Sequence, residues 1–273
     1  MKDPAFQLDQ QCYPLLELAE AVRRWPHERR LAPYIDAVPA VLRAIRARQA
    51  PTAALFATEE TPADDPLRLP YHFSSHVLLW HTLRHLADAL ADRALTRMAD
   101  AVAAATREHF TVRHRQQTLF AYAIDLAGDR RIYHDANDLP TALAVDWGFC
   151  GADDPVWQAT MAFAFSEDNT GWTPGRYGGL GSDHSAGAWP LGDVQELAYR
   201  HAVGDTVRER QVLQRLVATA AWDGALPEAR DPNSRAIVSR HWFAWPGVAL
   251  AYLYLTLPED PSSVTSVASA ARS

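Results

Sequence analysis

The sequence predicts an all-α fold assembled from helical hairpins, and three observations support this prediction. Apolar residues recur at helical spacing in about nine segments of the 273-residue chain. Strand signals are short, for example residues 118–125, and long polar and aromatic loops separate the helical segments. Since loops on a rigid scaffold commonly carry function, we expect these loops to form a functional rim.

The helical segments follow one another along most of the chain. Residues 34–48 alternate an apolar face with an arginine face, which is typical of an amphipathic helix. Ser74 and Ser75 can cap a long helix to Leu90, and a second helix over 95–106 would complete a hairpin with it. The same periodicity predicts helices over residues 8–25, 139–149, 155–165, 190–203, 205–220 and 246–257.

Composition bounds the class of protein. With 48% hydrophobic and 22% charged residues, the chain is predicted to form one domain over residues 1–258, followed by a Ser/Ala-rich disordered tail over 259–273. A net charge of −7 and the lack of a dense basic tract argue against a nucleic-acid partner. No stretch approaches the roughly 18 apolar residues that a membrane span needs, and no leader is visible, so we expect no membrane partner.

The cysteines and histidines indicate neither a disulfide framework nor a metal centre. Cys12 and Cys150 form no CxxC pair, which fits a reducing, cytoplasmic setting. The histidines at 72, 76, 134 and 184 form no HExxH or equivalent pattern, so hydrogen bonding is the better-supported role for them. The sequence therefore predicts no metal and no cofactor. The glycine-rich stretch 178–187 likewise matches no nucleotide-binding pattern.

Two acidic sites have the residue types that sugar hydrolysis requires. Asp64 and Asp65 lie in one loop behind Glu59 and Glu60, and the mutual repulsion of such a group favours a protonated general acid among them. On spacing alone, a solvated acidic loop that ends in a helix N-cap region is the simpler interpretation. Glu228 lies between two prolines near Trp222, Trp242 and Trp245, where a carboxylate could activate water, although a surface glutamate is the simpler alternative. No Gly-x-Ser-x-Gly elbow is present to support acyl transfer.

Five stretches, in the same order, resemble the metal-independent α-mannosidases of glycoside hydrolase family 125. They are FQLDQQCYPLLEL (6–18), PADDPLRLPYHFSSH (62–76), YHDANDLPTAL (133–143), GLGSDH (179–184) and PEARDPNSRAIVSRHWFAW (227–245). The resemblance implies an (α/α)6 toroid and an inverting exo-acting enzyme for α-1,6-linked mannose that needs no metal. An oligosaccharide or glycoside is then the expected substrate.

The resemblance also implies roles for individual residues. By position, the general acid falls on Asp64 or Asp65, between which the motif does not decide, and the general base falls on Glu228. Inversion requires room for a water, so the acid and base carboxyls are expected roughly 6.5 to 9.5 Å apart. The residues expected to bind sugar hydroxyls or shape the pocket are Tyr71, His72, Asp135, Asn137, His184, Arg240, Trp242 and Trp245.

The sequence departs from the family pattern in two ways: at motif positions that affect sugar preference, and at the N-terminal part of the fold. Pro227, His241 and Pro246-Gly247 stand where the family has a histidine, an acid and Ala-Asn. No Arg-Asp-Ser loop precedes Lys2, so we expect a shortened chain whose toroid is open. An open edge would favour a homo-oligomer or a covering partner. Two alternatives therefore stay open: a non-catalytic carbohydrate-binding or scaffold relative, and a toroid glycosidase that acts on glucosides.

Overall fold

The structure is a computed structural model that describes residues 5–256. Within these residues the chain is mainly helical with short strands, which confirms the all-α prediction. The predicted tail and the end of the last predicted helix lie outside the described residues. The helices, which include one 3₁₀ turn at Arg29–Leu31, are α1 (Leu8–Arg24), α2 (Ala32–Arg46), α3 (Phe73–Leu90), α4 (Arg93–Phe110), α5 (Leu139–Ala142), α6 (Pro155–Ala164), α7 (Pro190–Ala202), α8 (Thr206–Thr219) and α9 (Ala244–Thr256).

Helix α3 is the centre of the first half of the fold. It packs against α1 on one side and α4 on the other, and leucines such as Leu79 and Leu83 are fully buried between them. The turn from α3 into α4 has Ala91 in the left-handed region, at φ 53°, followed by Asp92 as the N-cap. The Asp92 carboxylate accepts from the backbone N–H of Ala94 at 2.7 Å, which starts α4. The predicted α3–α4 hairpin is therefore present.

The start of α3 differs from the prediction. Tyr71 and His72 form a short strand, β1, which keeps the backbone extended as far as His72. The helix consequently begins at Phe73 without a side-chain cap, and Ser74 and Ser75 lie inside its first turn. The prediction that these two serines cap the helix was wrong because the strand pairing fixes the boundary.

The strands are two to four residues long, and each pairs with another strand so that two loop segments are held together. Strand β1 pairs with β4 (Ala123–Ile124), which pairs with β5 (Arg130–Arg131). The other pairs are β2 (Thr111–His114) with β3 (Gln117–Phe120), β6 (Trp172–Thr173) with β7 (Gly179–Leu180), and β8 (Ala229–Arg230) with β9 (Ile237–Ser239). The single strand predicted over 118–125 is split between β3 and β4, because the N–H groups of Ala121 and Tyr122 donate to Phe110 and Arg131 instead.

Helix α7 is the centre of the second half of the fold. It packs against α5, α8 and α9, and even its polar residues Asp193, Gln195 and Glu196 are buried. The predicted helix over 139–149 is much shorter, because a chain of turns through Gly148, at φ 79°, follows α5. Trp80 and Trp147 pack against the apolar clusters of both halves and so join them.

Candidate active site

The loop that carries Asp64 and Asp65 is held by the start of α1. The N–H of Glu59 donates to the Phe6 carbonyl at 2.8 Å, and the N–H of Leu8 donates to the Thr58 hydroxyl at 3.1 Å. Gln7 is 2% exposed, and its amide nitrogen lies 2.5 Å from Glu60 Oε2 and 2.8 Å from Asp64 Oδ1. One buried amide thus donates both of its hydrogens to two carboxylates and fixes the orientation of Asp64.

The two aspartates of this loop have different partners. Asp64 is exposed and adopts a left-handed backbone, at φ 61°. The Asp65 carboxylate is half-buried, and its Oδ1 lies 3.1 Å from His184 Nδ1. Asp64 therefore contacts a neutral amide, whereas Asp65 contacts an imidazole from a distant loop.

Glu228 is buried at the start of the β8–β9 hairpin. Its side chain is 2% exposed; the Ser239 hydroxyl donates to Oε2 in a short hydrogen bond, and Arg240 Nη1 lies 3.1 Å from Oε1. The Glu228 N–H also donates to the Arg240 carbonyl at 3.0 Å. Ser239 of β9 thus donates to one carboxylate oxygen, while Arg240, which follows β9 and is itself largely exposed, forms an ion pair with the other.

A cluster of buried charged side chains, Asp193, Arg215 and Arg230, links this hairpin to α7. Arg230 and Asp193 are both fully buried, and Arg230 Nη2 lies 2.6 Å from Asp193 Oδ2. The N–H of that guanidinium group is poorly aimed at the oxygen, so this contact is electrostatic rather than a formed hydrogen bond. Arg215 from α8 donates to the other oxygen of Asp193 at 2.8 Å. Asp193 thereby joins two helices to the hairpin that carries Glu228.

Residues 184–188 connect the two acidic sites. His184 contacts Asp65 at one end, and Ala188 exchanges two backbone hydrogen bonds with Arg230, of 3.0 and 2.9 Å, at the other. Between them Gly187 has φ 108°, and a Cβ there would lie 2.5 Å from the Arg230 carbonyl oxygen. We refer to residues 184–188 as the connecting segment, because it contacts both the Asp64–Asp65 loop and the Glu228 hairpin.

Asp135 and Asn137, which we expect to bind sugar, lie in a buried polar network. Asp135 is 4% exposed and accepts from the Tyr133 hydroxyl at 2.8 Å, the Ser182 hydroxyl at 2.9 Å and the Asn137 amide at 2.8 Å. Burial raises the pKa of Asp135, and the nearby charge of Asp138 adds to this effect. The network holds the loop that leads into the connecting segment, and Asn137 Oδ1 has no partner within residues 5–256.

Tyr71 and His72 are buried as well. His72 is 0% exposed, with Nδ1 2.9 Å from the Ser75 hydroxyl and Nε2 3.2 Å from Asp138 Oδ1. Burial alone would raise the pKa of Asp138, but His72, His134 and the Asp135 backbone N–H together outweigh burial and hold that pKa below its ordinary value. The Tyr71 ring packs edge-on against His76. The polar groups of His72 therefore contact protein groups in this structure.

The predicted aromatic residues lie at the surface in the stretch that follows β9. Trp242 is 78% exposed and Trp245 is 48% exposed. The Trp242 indole N–H donates to Asp223 Oδ2 at 2.8 Å, and the Trp245 ring packs against Phe243, which in turn contacts the Trp189 ring. His184, Arg240, Trp242 and Trp245 are thus the predicted binding residues with solvent access.

Three residues that hold this site were not predicted from the sequence: Gln7, Asp193 and Ser239. Gln7 directly precedes the apolar first residue of α1, and Asp193 interrupts the apolar pattern of α7. A polar residue at a position that the pattern predicts to be buried needs a polar partner, and this was the available signal. Their partners are too distant in sequence for periodicity to reveal. In the described part of the chain, no group of three or more His, Cys, Asp or Glu residues could hold a metal ion.

Comparison with solved structures identifies the fold as the all-α, toroid-like fold of the six-hairpin glycosidases. The structure superposes on a metal-independent α-mannosidase from Streptococcus pneumoniae, solved in a non-productive complex with α-1,6-mannobiose, with a TM-score of 0.81 at 20% identity, covering 93% of this chain and 69% of that one. A bacterial glucoamylase complexed with acarbose superposes with a TM-score of 0.64 at 14% identity. The match covers 92% of this chain and 40% of the glucoamylase chain.

The sequence comparisons identify the family. The profile of the metal-independent α-mannosidases (GH125) matches residues 42–255, and the chain belongs to this family. It is also 28% identical over 220 residues to the meiotically up-regulated gene 157 protein of Schizosaccharomyces pombe, covering 76% of this chain and 42% of the fungal protein. The chain thus spans less than half the length of that relative.

Proposed function

We propose that this protein is a metal-independent glycosidase that hydrolyses terminal α-linked mannose with inversion, with Glu228 as the general base. The observation that carries the proposal is the placement of Glu228: buried, bound at both oxygens, and connected through residues 184–188 to the loop of Asp64 and Asp65. Family membership supports the reaction class, and the α-1,6-mannobiose bound to the streptococcal relative supports the linkage.

In the proposed reaction, water attacks the anomeric carbon while Glu228 removes one of its protons. The acid of the Asp64–Asp65 pair donates its proton to the glycosidic oxygen as the bond to the anomeric carbon breaks. Asp64, oriented by the neutral amide of Gln7, keeps a carboxyl open to solvent, whereas Asp65 is paired with His184. We favour Asp64 as the acid and Asp65 as its positioning neighbour. The remaining proposed substrate contacts are Tyr71, His72, Asp135, Asn137, His184, Arg240, Trp242 and Trp245.

The test is hydrolysis of α-1,6-mannobiose, followed by NMR of the anomeric protons, with isomaltose as the glucoside control. Wild type should release mannose with inverted configuration. Glu228→Gln should lower kcat by a factor of about 10² to 10⁴, the usual contribution of general acid–base catalysis. Asp64→Asn should cause a loss of similar size, and Asp65→Asn a smaller one.

Other outcomes select the alternatives. Hydrolysis of isomaltose in preference to mannobiose would indicate a glucosidase. Binding of mannobiose without turnover would indicate a carbohydrate-binding relative, and a larger loss in Asp65→Asn than in Asp64→Asn would exchange the two aspartate roles.

Setting and partners complete the proposal. Cys12 and Cys150 are both free thiols, which supports a reducing, cytoplasmic setting. Within residues 5–256, no helix is long and apolar enough to cross a membrane. Val207 on α8 and Val248 on α9 are each more than 60% exposed, which supports a second copy or another partner that covers exposed apolar side chains of these helices.

A further inference from the structure

The side-chain amide of Gln7 contacts one oxygen of each of two carboxylates from the same loop. Its nitrogen lies 2.5 Å from Glu60 Oε2 and 2.8 Å from Asp64 Oδ1. Gln7 and Glu60 are buried, whereas Asp64 is exposed. Within residues 5–256, the hydrogen bond of the Asp64 carboxylate therefore uses Oδ1, and this oxygen is the one held by the interior of the protein.

The backbone of the loop holds Asp64 in place for this contact. The Asp64 N–H donates to the Thr61 carbonyl at 3.0 Å, and the Thr61 N–H donates to the Asp65 carbonyl at 2.9 Å. The φ of Asp64, 61°, lies in the left-handed region, which is uncommon for residues other than glycine although Asp adopts it more readily than most. Such positions persist where surrounding contacts hold them, and they cluster at functional sites. The contacts of Asp64 thus indicate a carboxyl group with a fixed orientation.

The orientation of the Gln7 amide is assigned from its neighbours. Gln10 Nε2 lies 2.5 Å from Gln7 Oε1, so this oxygen accepts from within α1 while the nitrogen faces the loop. The opposite orientation would place the amide oxygen against the carboxylates of Glu60 and Asp64, and the amide nitrogen against the Gln10 nitrogen. The group of Gln7 that contacts Asp64 is therefore a hydrogen-bond donor.

A donor at Oδ1 determines which oxygen of a protonated Asp64 carries the hydrogen. A protonated carboxyl group has one hydroxyl oxygen, which donates, and one carbonyl oxygen, which accepts. Because the carbonyl oxygen is the stronger acceptor, the N–H of Gln7 favours the form in which Oδ1 is the carbonyl oxygen and Oδ2 carries the hydrogen. His184, the partner of Asp65, has no such effect, since an imidazole nitrogen can accept a hydrogen as well as donate one.

We propose that Gln7 is a positioning residue for the general acid, and that it places the acidic hydrogen of Asp64 on Oδ2, where it can reach the glycosidic oxygen. The inference rests on the proposed function, because it requires Asp64 to be the acid. In the reaction the hydrogen passes from Oδ2 to the glycosidic oxygen. The O–H bonding pair stays on the carboxylate, the C–O bonding pair stays on the leaving oxygen, and water adds to the anomeric carbon as Glu228 takes its proton. The N–H of Gln7 then stabilises the carboxylate that forms.

The experiment compares two substrates of the full chain that differ in their need for an acid. The leaving alcohol of α-1,6-mannobiose requires a proton, whereas the fluoride of α-mannosyl fluoride leaves without one. Gln7→Leu removes both donor hydrogens and should lower kcat for mannobiose about 10- to 100-fold, the size of loss that follows from misplacing a catalytic group, with KM nearly unchanged. Its kcat for α-mannosyl fluoride should stay close to that of wild type, which also shows that the variant is folded.

Two further variants and a matched control separate positioning from stability. Gln10→Leu, at an exposed position, removes the group that orients the Gln7 amide and should lower kcat for mannobiose by a smaller factor. The control is Gln11→Leu on the same helix, because the Gln11 amide contacts the backbone carbonyl of Gln7, at 3.5 Å, rather than a carboxylate. It should hydrolyse both substrates as wild type does. Gln7→Leu combined with Asp64→Asn should be no slower on mannobiose than Asp64→Asn alone, since Gln7 acts through Asp64.

Three results would overturn the role of Gln7 alone. Equal losses on the two substrates would make it a structural residue, unchanged mannobiose hydrolysis in Gln7→Leu would remove it from the reaction, and a further loss in the double variant would show that it does not act through Asp64. Failure of the proposed function looks different, because wild type would then hydrolyse neither substrate and the role of Gln7 would fall with it. A mannobiose-specific loss in Asp65→Asn instead of Asp64→Asn would refute the acid assignment on which the role rests.

Discussion

Asp9 is a buried carboxyl group whose ionisation opposes folding. It lies in the first turn of α1, is 5% exposed, and its Oδ1 has no hydrogen-bond partner within the described residues. Burial raises the pKa of Asp9 to about 6, against the opposing effects of backbone hydrogen bonds and the charge of His72. The folded state binds the Asp9 proton more tightly than the unfolded state does. The stabilisation that comes from protonated Asp9 is therefore fully present below about pH 4 and is lost as the pH rises through 6.

We predict that Asp9→Asn stabilises the protein at pH 7.5 and leaves stability nearly unchanged at pH 4. A shift of about two pKa units corresponds to at most about 3 kcal/mol. Urea unfolding at both pH values measures the difference. Asp36→Asn, at an exposed position on α2, is the control and should show no such pH dependence. Equal effects of Asp9→Asn at the two pH values would contradict the assignment.

Ser182 and Ser185 offer a matched pair in the loop that positions His184. The Ser182 hydroxyl donates to Asp135 and accepts the His184 N–H at 3.1 Å, whereas the Ser185 hydroxyl is buried without a partner in residues 5–256. Ser182→Ala should therefore cost about 1 to 3 kcal/mol by leaving Asp135 short of a donor, and Ser185→Ala should cost much less. Thermal unfolding of both variants tests this, and equal losses would refute it.

The sequence offered candidates for the chemical residues but none for the residues that hold them. Asp64, Asp65 and Glu228 were proposed from motif resemblance, and their roles stay predictions. Gln7 could not be paired with Glu60 and Asp64 from sequence, because more than 50 residues separate them and the contact depends on how α1 meets the loop. Long-range polar contacts leave no periodic signal.

At the scale of elements, the β8–β9 hairpin contacts α7 through a fully buried ion pair between Arg230 and Asp193. Removing one partner of such a pair leaves an uncompensated charge and typically costs about 3 to 5 kcal/mol. Arg230→Met should produce a loss of this size in urea unfolding, because Asp193 would lose one of its two arginines. Arg208→Met, which affects an exposed pair on α8, should cost about 1 kcal/mol or less. Similar losses in both variants would show that burial does not govern the Arg230 contact.

Helices with strong amphipathic periodicity were predicted within a few residues, as for α1, α7 and α8. The errors fell where tertiary contacts override local preference. Strand pairing of Tyr71 and His72 moved the start of α3, and the turns around Gly148 shortened α5. The β8–β9 pair was not predicted at all, since its two strands lie in a loop without alternating hydrophobicity.

For the whole molecule, the exposed apolar residues of α8 and α9 predict self-association. Val248 is 67% exposed and Leu255 is 86% exposed. Sedimentation velocity of the full chain should show concentration-dependent dimers, and Val248→Glu with Leu255→Glu should shift them to monomers. Tyr34→Glu, at a position on α2 that is 65% exposed, should leave the dimers intact. Monomers at every concentration would contradict the prediction.

The connecting segment, residues 184–188, should allow the surrounding sequence to diverge while the two acidic sites keep their spacing. Its five residues bind the acidic loop through His184 and the Glu228 hairpin through main-chain atoms of Ala188. Main-chain contacts do not depend on side-chain identity, so the helices behind them can exchange residues without altering the spacing of the two carboxyl groups. The superposition on a relative of only 20% identity at a TM-score of 0.81 fits such drift. Selection should then act most strongly on Gly187, where any side chain would collide with the hairpin.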